Sequence, residues 1–175
     1  TAHLDRLRAA LPRGVPMRAA GLLLMLPLLW PRHEDLSEGE FELTVFDVGQ
    51  GLSTLVRTRT HAMLYDTGAR VSADFDFGDA VVVPSLYALA VGQLDRLMIS
   101  HLDDDHAGGR GAVKRAFPEA LESIGNEADP APRCEAGQHW TWDGVRFDVL
   151  HPPQHFPDLD NDNSCVLRIA SPRGS

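Results

Sequence analysis

Cysteine is scarce in this chain, with only Cys134 and Cys165 among 175 residues. Their separation matches no metal-binding spacing, which excludes a cysteine-built zinc site. The two can pair in an oxidising compartment. However, Cys165 sits inside the apolar run Cys165-Val166-Leu167, where a small buried hydrophobe is the simpler reading. Positive charge is also short: 16 lysines and arginines face 25 aspartates and glutamates, a net charge of −9 with a pI near 5.2. Neutralising phosphate needs clustered cations, so this balance argues against a metal-free DNA-binding module. Bound divalent cations would offset part of the charge and keep a nucleic-acid substrate compatible with it. No long apolar run is present. Ala19–Trp30 is shorter than the roughly 20 residues of a spanning helix, and Pro27 interrupts it. No small-x-small cleavage site follows it, so it is a poor signal peptide and reads as a short buried or interfacial helix.

The length is one domain's worth, and 43% hydrophobic residues is ordinary for a globular protein. Alternating or continuous apolar residues predict strands over 41–45, 52–56, 61–65, 94–100, 121–124, 145–149 and 165–169. His139-Trp140-Thr141-Trp142 followed by Asp143-Gly144 predicts one arm of a hairpin. Helices are expected over 84–91, with Pro84 at its start and Gly92 at its stop, and over 107–117. Asp74–Asp79 reads as a solvated acidic loop, and 127–137 as a polar surface loop.

The chemistry concentrates in Met98-Ile99-Ser100-His101-Leu102-Asp103-Asp104-Asp105-His106-Ala107-Gly108-Gly109. Five potential ligands fall within six residues, at the end of a buried strand. Extended chain alternates its side chains, which sends His101, Asp103 and Asp105 to one side, and a turn brings His106 back. Three adjacent aspartates repel one another unless a cation sits among them. Imidazole with carboxylate suits zinc, manganese or iron, and the oxygen donors tilt the choice toward harder ions. The alternative is a solvated acidic turn. His151, alone at a strand end, reads as a surface hydrogen-bonding group. Asp160-Asn161-Asp162-Asn163-Ser164 is either an Asx-rich turn or a further source of oxygen ligands.

The pattern His101-x-Asp103-x-Asp105-His106 resembles the first metal motif of the metallo-β-lactamase fold, His-x-His-x-Asp-His, with Asp103 where the second histidine usually stands. Together with Phe46-Asp47-Val48-Gly49-Gln50-Gly51, it looks like the C-terminal hydrolase-like domain of the ComEC family of DNA-uptake channel proteins, over about Glu40 to Ile169. Leu52, where many soluble relatives carry an acid, fits the same branch.

The resemblance implies an α/β chain of the α+β type, an αββα sandwich, over 40–175. It implies that 1–39 is a basic and apolar segment plus linker, the end of a transmembrane region edged by Arg18 and Arg32. It also implies two divalent ions (zinc or manganese), with His101 and Asp103 on one and Asp105 and His106 on the other, and Asp105 as proton acceptor. Asp66 and Asp47 would orient ligands by hydrogen bonds, and Asp160, Asn161 or Asp162 would add a ligand. The later Gly-Asp turn and histidine-rich turn of the family do not occur, so an incomplete sandwich lacking its C-terminal part is expected.

The implied activity is a metal-dependent phosphodiesterase acting on single-stranded DNA, associated with the inner membrane. Its partners would be the channel portion of the same protein and other uptake components. Two rivals remain: a non-catalytic domain with a structural or gating role, and a dimeric aspartic protease built on Asp66-Thr67-Gly68.

Overall fold

The computed structural model describes residues 17–25, 35–125, 130–157 and 159–172. The chain divides into two compact units, Thr1–Asp35 and Leu36–Ser175. In the first, helix α1 (Met17–Met25) carries exposed Leu22, Leu23, Leu24 and Met25. Among the described residues no helix is long and apolar enough to cross a membrane. Arg6, Arg8 and Arg13, and the apolar run from Leu26 to Trp30 with Arg32 after it, lie outside them.

The second unit contains two sheets. Strands β1 (Glu42–Val45), β2 (Thr54–Arg57) and β3 (Ala62–Tyr65) form an antiparallel meander. A small hairpin, β4 (Arg70–Ser72) and β5 (Phe75–Asp76), leads to a π-helical turn (Gly78–Val82) and helix α2 (Val83–Ala88). Strand β6 (Arg96–Ile99) then joins β3 in parallel. Helices α3 (Asp104–Ala107) and α4 (Arg110–Ala116) cross to β7 (Leu121–Ile124), parallel to β6. The first sheet is ordered β1-β2-β3-β6-β7. Strands β8 (His139–Trp142), β9 (Val145–His151) and β10 (Val166–Ala170) build the second, antiparallel sheet, with a 3₁₀ turn (Asp160–Asn163) before β10.

The first sheet is covered on both sides, which explains why its central strands read as continuous apolar runs. Leu55, Leu64, Leu97 and Ile99 point toward Leu86 and Val113 of the helices. Val56, Met63 and Met98 point the other way, onto Val145, Phe147 and Val149 of the second sheet. Helices, sheet and second sheet are therefore stacked in that order, three layers of the expected αββα arrangement.

Three local expectations need correction. The acidic segment 74–79 is not simply a solvated loop: it supplies β5 and opens the π-helical turn, and Asp76 accepts the Asp79 N–H at 2.9 Å. The helix expected over 107–117 is two helices. Gly109 donates its N–H to Gly68 O at 3.1 Å rather than back along a helix, which offsets α4 from α3. Cys165 is not a lone apolar residue, because it forms a buried disulfide with Cys134 across a Cα–Cα distance of 6.2 Å. Backbone pairing brings the two together: Cys134 N–H bonds to Ile124 O beside β7, and Cys165 N–H bonds to Ser100 O beyond β6. Their spacing of 31 residues along the chain carries no trace of this.

At the other end of the sandwich, Asp143 joins the two sheets. It lies in the hairpin turn Asp143-Gly144, both residues with positive φ as a two-residue hairpin requires. Its carboxylate accepts from Thr58 Oγ1 (2.7 Å) and from the Thr60 N–H (2.8 Å), both in the β2–β3 turn. His61 adds an Nδ1 contact at 3.3 Å and stacks on Trp142 at 4.9 Å. Burial opposes ionisation of Asp143, but these donors outweigh it and hold the carboxyl well below the usual carboxylate range.

Two outcomes follow for stability. Reducing the disulfide, or Cys134→Ser with Cys165→Ser, lowers unfolding free energy by roughly 3–4 kcal/mol through the freed loop; equal urea midpoints with and without reductant would remove it as a constraint. Asp143 favours the fold fully above its unfolded-state pKa, and that contribution disappears as pH falls through its depressed folded value. Asp143→Ala therefore costs about 2 kcal/mol near neutral pH and flattens the acid limb of stability against pH, as urea titrations at several pH values will read.

Candidate metal centre

Strands β3 and β6 are parallel neighbours, so the residues that follow them emerge side by side. Ligand sites in sheets of this kind form beyond the carboxyl ends of the strands. Asp66 follows β3 in the left-handed region at φ 59°, a conformation aspartate tolerates better than most residues. Its N–H bonds to Met98 O (2.9 Å), and Ser53 Oγ donates to its carbonyl (3.0 Å). The carboxylate is fully buried and satisfied. Oδ1 accepts the Ser100 N–H at 2.7 Å, while Oδ2 takes Ser100 Oγ at 2.8 Å and His106 Nδ1 at 2.7 Å.

Asp103 begins α3 from an extended conformation, and its carbonyl accepts the His106 and Ala107 N–H groups at 2.9 and 2.8 Å. This turn swings Asp105 and His106 back toward His101. Close backbone packing supports it. Leu52 N–H bonds to Asp105 O at 3.2 Å, and a Cβ on Gly51 would lie 2.3 Å from that oxygen. Only glycine lets the 49–51 turn pass there.

The result is a compact donor set. Ligand atoms of His101, Asp105 and His106 lie within 4.8 Å of one another. Both histidines have Nδ1 engaged internally, His106 on Asp66 and His101 near Ser100 Oγ (3.0 Å) and Ser164 Oγ (3.2 Å). Each Nε2 instead faces a carboxylate: His101 Nε2 stands 3.6 Å from Asp103 Oδ2, and His106 Nε2 stands 3.5 Å from Asp105 Oδ2. These separations exceed a hydrogen bond. They match the roughly 3.4 Å between two donors that each sit about 2.0–2.1 Å from one tetrahedral ion. The donor chemistry and spacing thus fit a divalent cation. The hydrogen bond to Asp66 raises the pKa of His106 against the effect of burial, with further help from the charges of Asp66, Asp105 and Asp103. The pocket favours positive charge, whether carried by a proton or by a metal ion.

Of the residues expected from sequence, His101, Asp105 and His106 converge, Asp103 stands beside them half-exposed, and Asp66 buttresses them from below. Asp47 is exposed, and its carboxylate accepts the Gly49 N–H of its own turn at 3.4 Å. Asn161 and Asp162 are exposed, Asp162 is not one of the His101, Asp105 and His106 group, and the Asp160 side chain lies outside the described residues. His151 bonds through Nε2 to Asp162 O at 2.7 Å, the hydrogen-bonding role expected of it. Ser100 and Ser164 are the contributors that sequence reasoning missed. Ser100 directly precedes His101, but a serine at a strand end carries no signal of its own.

The geometry also disposes of the protease reading. An aspartic dyad needs two carboxyl groups sharing a proton, whereas Asp66 is fully buried with both oxygens taken by Ser100 and His106.

The metallo-beta-lactamase superfamily model matches residues 46–175. A competence protein ComA from Neisseria gonorrhoeae is 40% identical over 161 residues, covering 92% of this chain and 23% of that protein. ComE operon protein 3 from Bacillus subtilis is 28% identical, covering 75% of this chain and 20% of its own length. The chain thus spans less than a quarter of these curated relatives. A metallo-beta-lactamase from Cronobacter sakazakii superposes with a TM-score of 0.53 at 19% identity, over 74% of this chain and 57% of that one, a likeness of fold alone.

Asp66→Asn keeps the shape but removes the charge behind His106. Metal affinity, read by competition with a chromophoric chelator, is expected to fall about 10–100-fold; an unchanged affinity would strip Asp66 of its orienting role.

Proposed function

The chain belongs to the metallo-beta-lactamase superfamily and is related to ComEC-type competence proteins, and on that premise we propose that it is the metal-dependent phosphodiesterase domain of a DNA-uptake channel protein. The observation that carries this reading is the convergence of His101, Asp105 and His106 above the buried carboxylate of Asp66.

In this reading His101 and Asp103 hold one divalent ion, zinc or manganese, and Asp105 and His106 hold a second. Such ions supply Lewis-acid charge and a water that is nucleophilic near neutral pH. The chain's own residues do the rest. Asp66 keeps the Nδ1 side of His106 occupied, which leaves Nε2 outward as donor. Ser100 and Ser164 do the same for His101. Asp105, exposed beside His106, would take a proton from the attacking water as its oxygen bonds to phosphorus, while the ester P–O bond breaks and the leaving oxygen gains a proton from solvent. The substrate is single-stranded DNA, degraded during uptake through the membrane portion of the same protein, alongside other uptake components. The domain is held at the inner membrane by its N-terminal segment. The buried Cys134–Cys165 disulfide supports its non-cytoplasmic, oxidising face.

The test is a nuclease assay on the full-length protein with metal analysis. Activity with manganese that EDTA abolishes is expected, as is loss by at least about 100-fold in Asp105→Ala with His106→Ala, the scale of removing a general base and its positioning. Metal-free, inert wild-type protein would leave a structural or gating role instead, and retained activity in the double variant would remove these residues from the mechanism.

A further inference from the structure

Asp66 orients one imidazole of the metal centre, and the second sheet helps to orient the other. His101 is buried, with Nδ1 beside two hydroxyls, Ser100 Oγ at 3.0 Å and Ser164 Oγ at 3.2 Å. Both hydroxyl protons go elsewhere. Ser100 Oγ donates to Asp66 Oδ2 at 2.8 Å, and Ser164 Oγ donates to Asn161 O at 2.7 Å. Each oxygen is therefore an acceptor toward the ring, so Nδ1 carries the proton and Nε2 keeps its lone pair. That is the tautomer a metal ion needs from Nε2.

Ser100 adjoins His101 in the chain, but Ser164 lies 63 residues further on. It stands just before β10, the strand at one edge of the second sheet. Cys165 ties the start of that strand to the first sheet. Its N–H bonds to Ser100 O at 3.0 Å, its carbonyl accepts the Tyr65 hydroxyl, and its sulfur is bonded to that of Cys134. The last tie is covalent, and its far end is anchored too: Cys134 N–H bonds to Ile124 O at 2.9 Å, and Ile124 N–H to Pro132 O at 3.0 Å. Gly125 leaves room for the approach, since a Cβ there would lie 2.2 Å from Ser100 O and 2.4 Å from Asn163 O. The buried bridge is thus anchored one residue beyond the serine that meets His101.

We propose that the Cys134–Cys165 disulfide is a positioning element of the metal centre, so that the site reaches its full metal affinity only once the two cysteines are oxidised. In the reduced chain the start of β10 is held to the first sheet without a covalent tie, Ser164 moves off Nδ1, and the His101 ring is freer to turn. Oxidation joins the two sulfurs with loss of two protons and two electrons, which pass by thiol–disulfide exchange to a disulfide oxidant that departs as a dithiol. A chain still in reducing surroundings then holds metal weakly, and its hydrolytic chemistry stays dormant until it reaches an oxidising compartment. The inference rests on the metal-centre reading above, whatever substrate that centre acts on.

The experiment is zinc binding by the full-length protein, read by competition with a chromophoric chelator rather than by activity. The oxidised protein is compared with Cys134→Ser plus Cys165→Ser, with Ser164→Ala, and with all three substitutions together, circular dichroism confirming the fold of each. The cysteine pair and Ser164→Ala are each expected to weaken zinc binding by about 10-fold, the low end for losing a ligand's hydrogen-bonding partner. The triple variant should bind no more weakly than either, because both changes act on one contact. A purely structural bridge would lower the urea midpoint and leave zinc affinity unchanged, which would overturn the proposal. So would losses that multiply in the triple variant, or wild-type protein that is reduced, cleared of reductant and still binds zinc as tightly as the oxidised form. Where the cysteine pair fails to fold, Ser164→Ala with the bridge intact decides: a loss supports the tie, and an unchanged affinity overturns it. Oxidised wild-type protein that binds no zinc defeats the metal-centre reading and this proposal with it, whereas zinc binding indifferent to the cysteines defeats this proposal alone.

Discussion

A single buried carboxylate, that of Asp66, ties the architecture to the chemistry. It has no access to water, so its charge is tolerable only because Ser100 and His106 meet it with three short hydrogen bonds. Those bonds clamp the ends of two parallel strands together and lock one ring nitrogen of His106 inward. The outward nitrogen is then a consequence of the inward one. The same residue that would be a liability in the core thus fixes the orientation of the His106 imidazole, a candidate ligand.

The two sheets are held at both ends by different means. Near the metal centre, the Cys134–Cys165 disulfide and the Tyr65 hydroxyl bonded to Cys165 O draw the start of β10 against β3 and β6. That placement puts Ser164 within reach of His101. At the far end, Asp143 gathers donors from the β2–β3 turn and fastens the second hairpin to the first sheet. Between them the inter-sheet core of Met63, Met98, Val145 and Phe147 does the non-directional work. The polar ties set where the sheets meet, and the apolar layer holds them there.

Charge is distributed in the same spirit. The excess acid is not spread evenly: aspartates gather at the metal centre, while Arg70, Arg110 and Lys114 face a cleft beside α3.

Much of this was legible in the chain. The strand–ligand–helix stretch around His101, the hairpin at Asp143-Gly144 and most strands follow from periodicity and turn residues, because those signals are local. The same local rule fails where partners come from far away. Nothing near Asp74 announces the β4–β5 hairpin, since its strands are two and three residues long and lack a buried face. Asp47 and the Asp160–Asp162 turn carry the right atoms, yet in the fold Asp47 bonds to its own turn, and Asn161 and Asp162 are exposed. By itself the sequence determined which side chains were available to a metal and on which strand they stood. Tertiary structure alone decided that Cys134 meets Cys165, that Ser164 reaches His101, and that Glu122 gathers two cations. Those pairings depend on strand order and register, which are set by the packing of the whole core and leave no mark in the spacing of the residues they join.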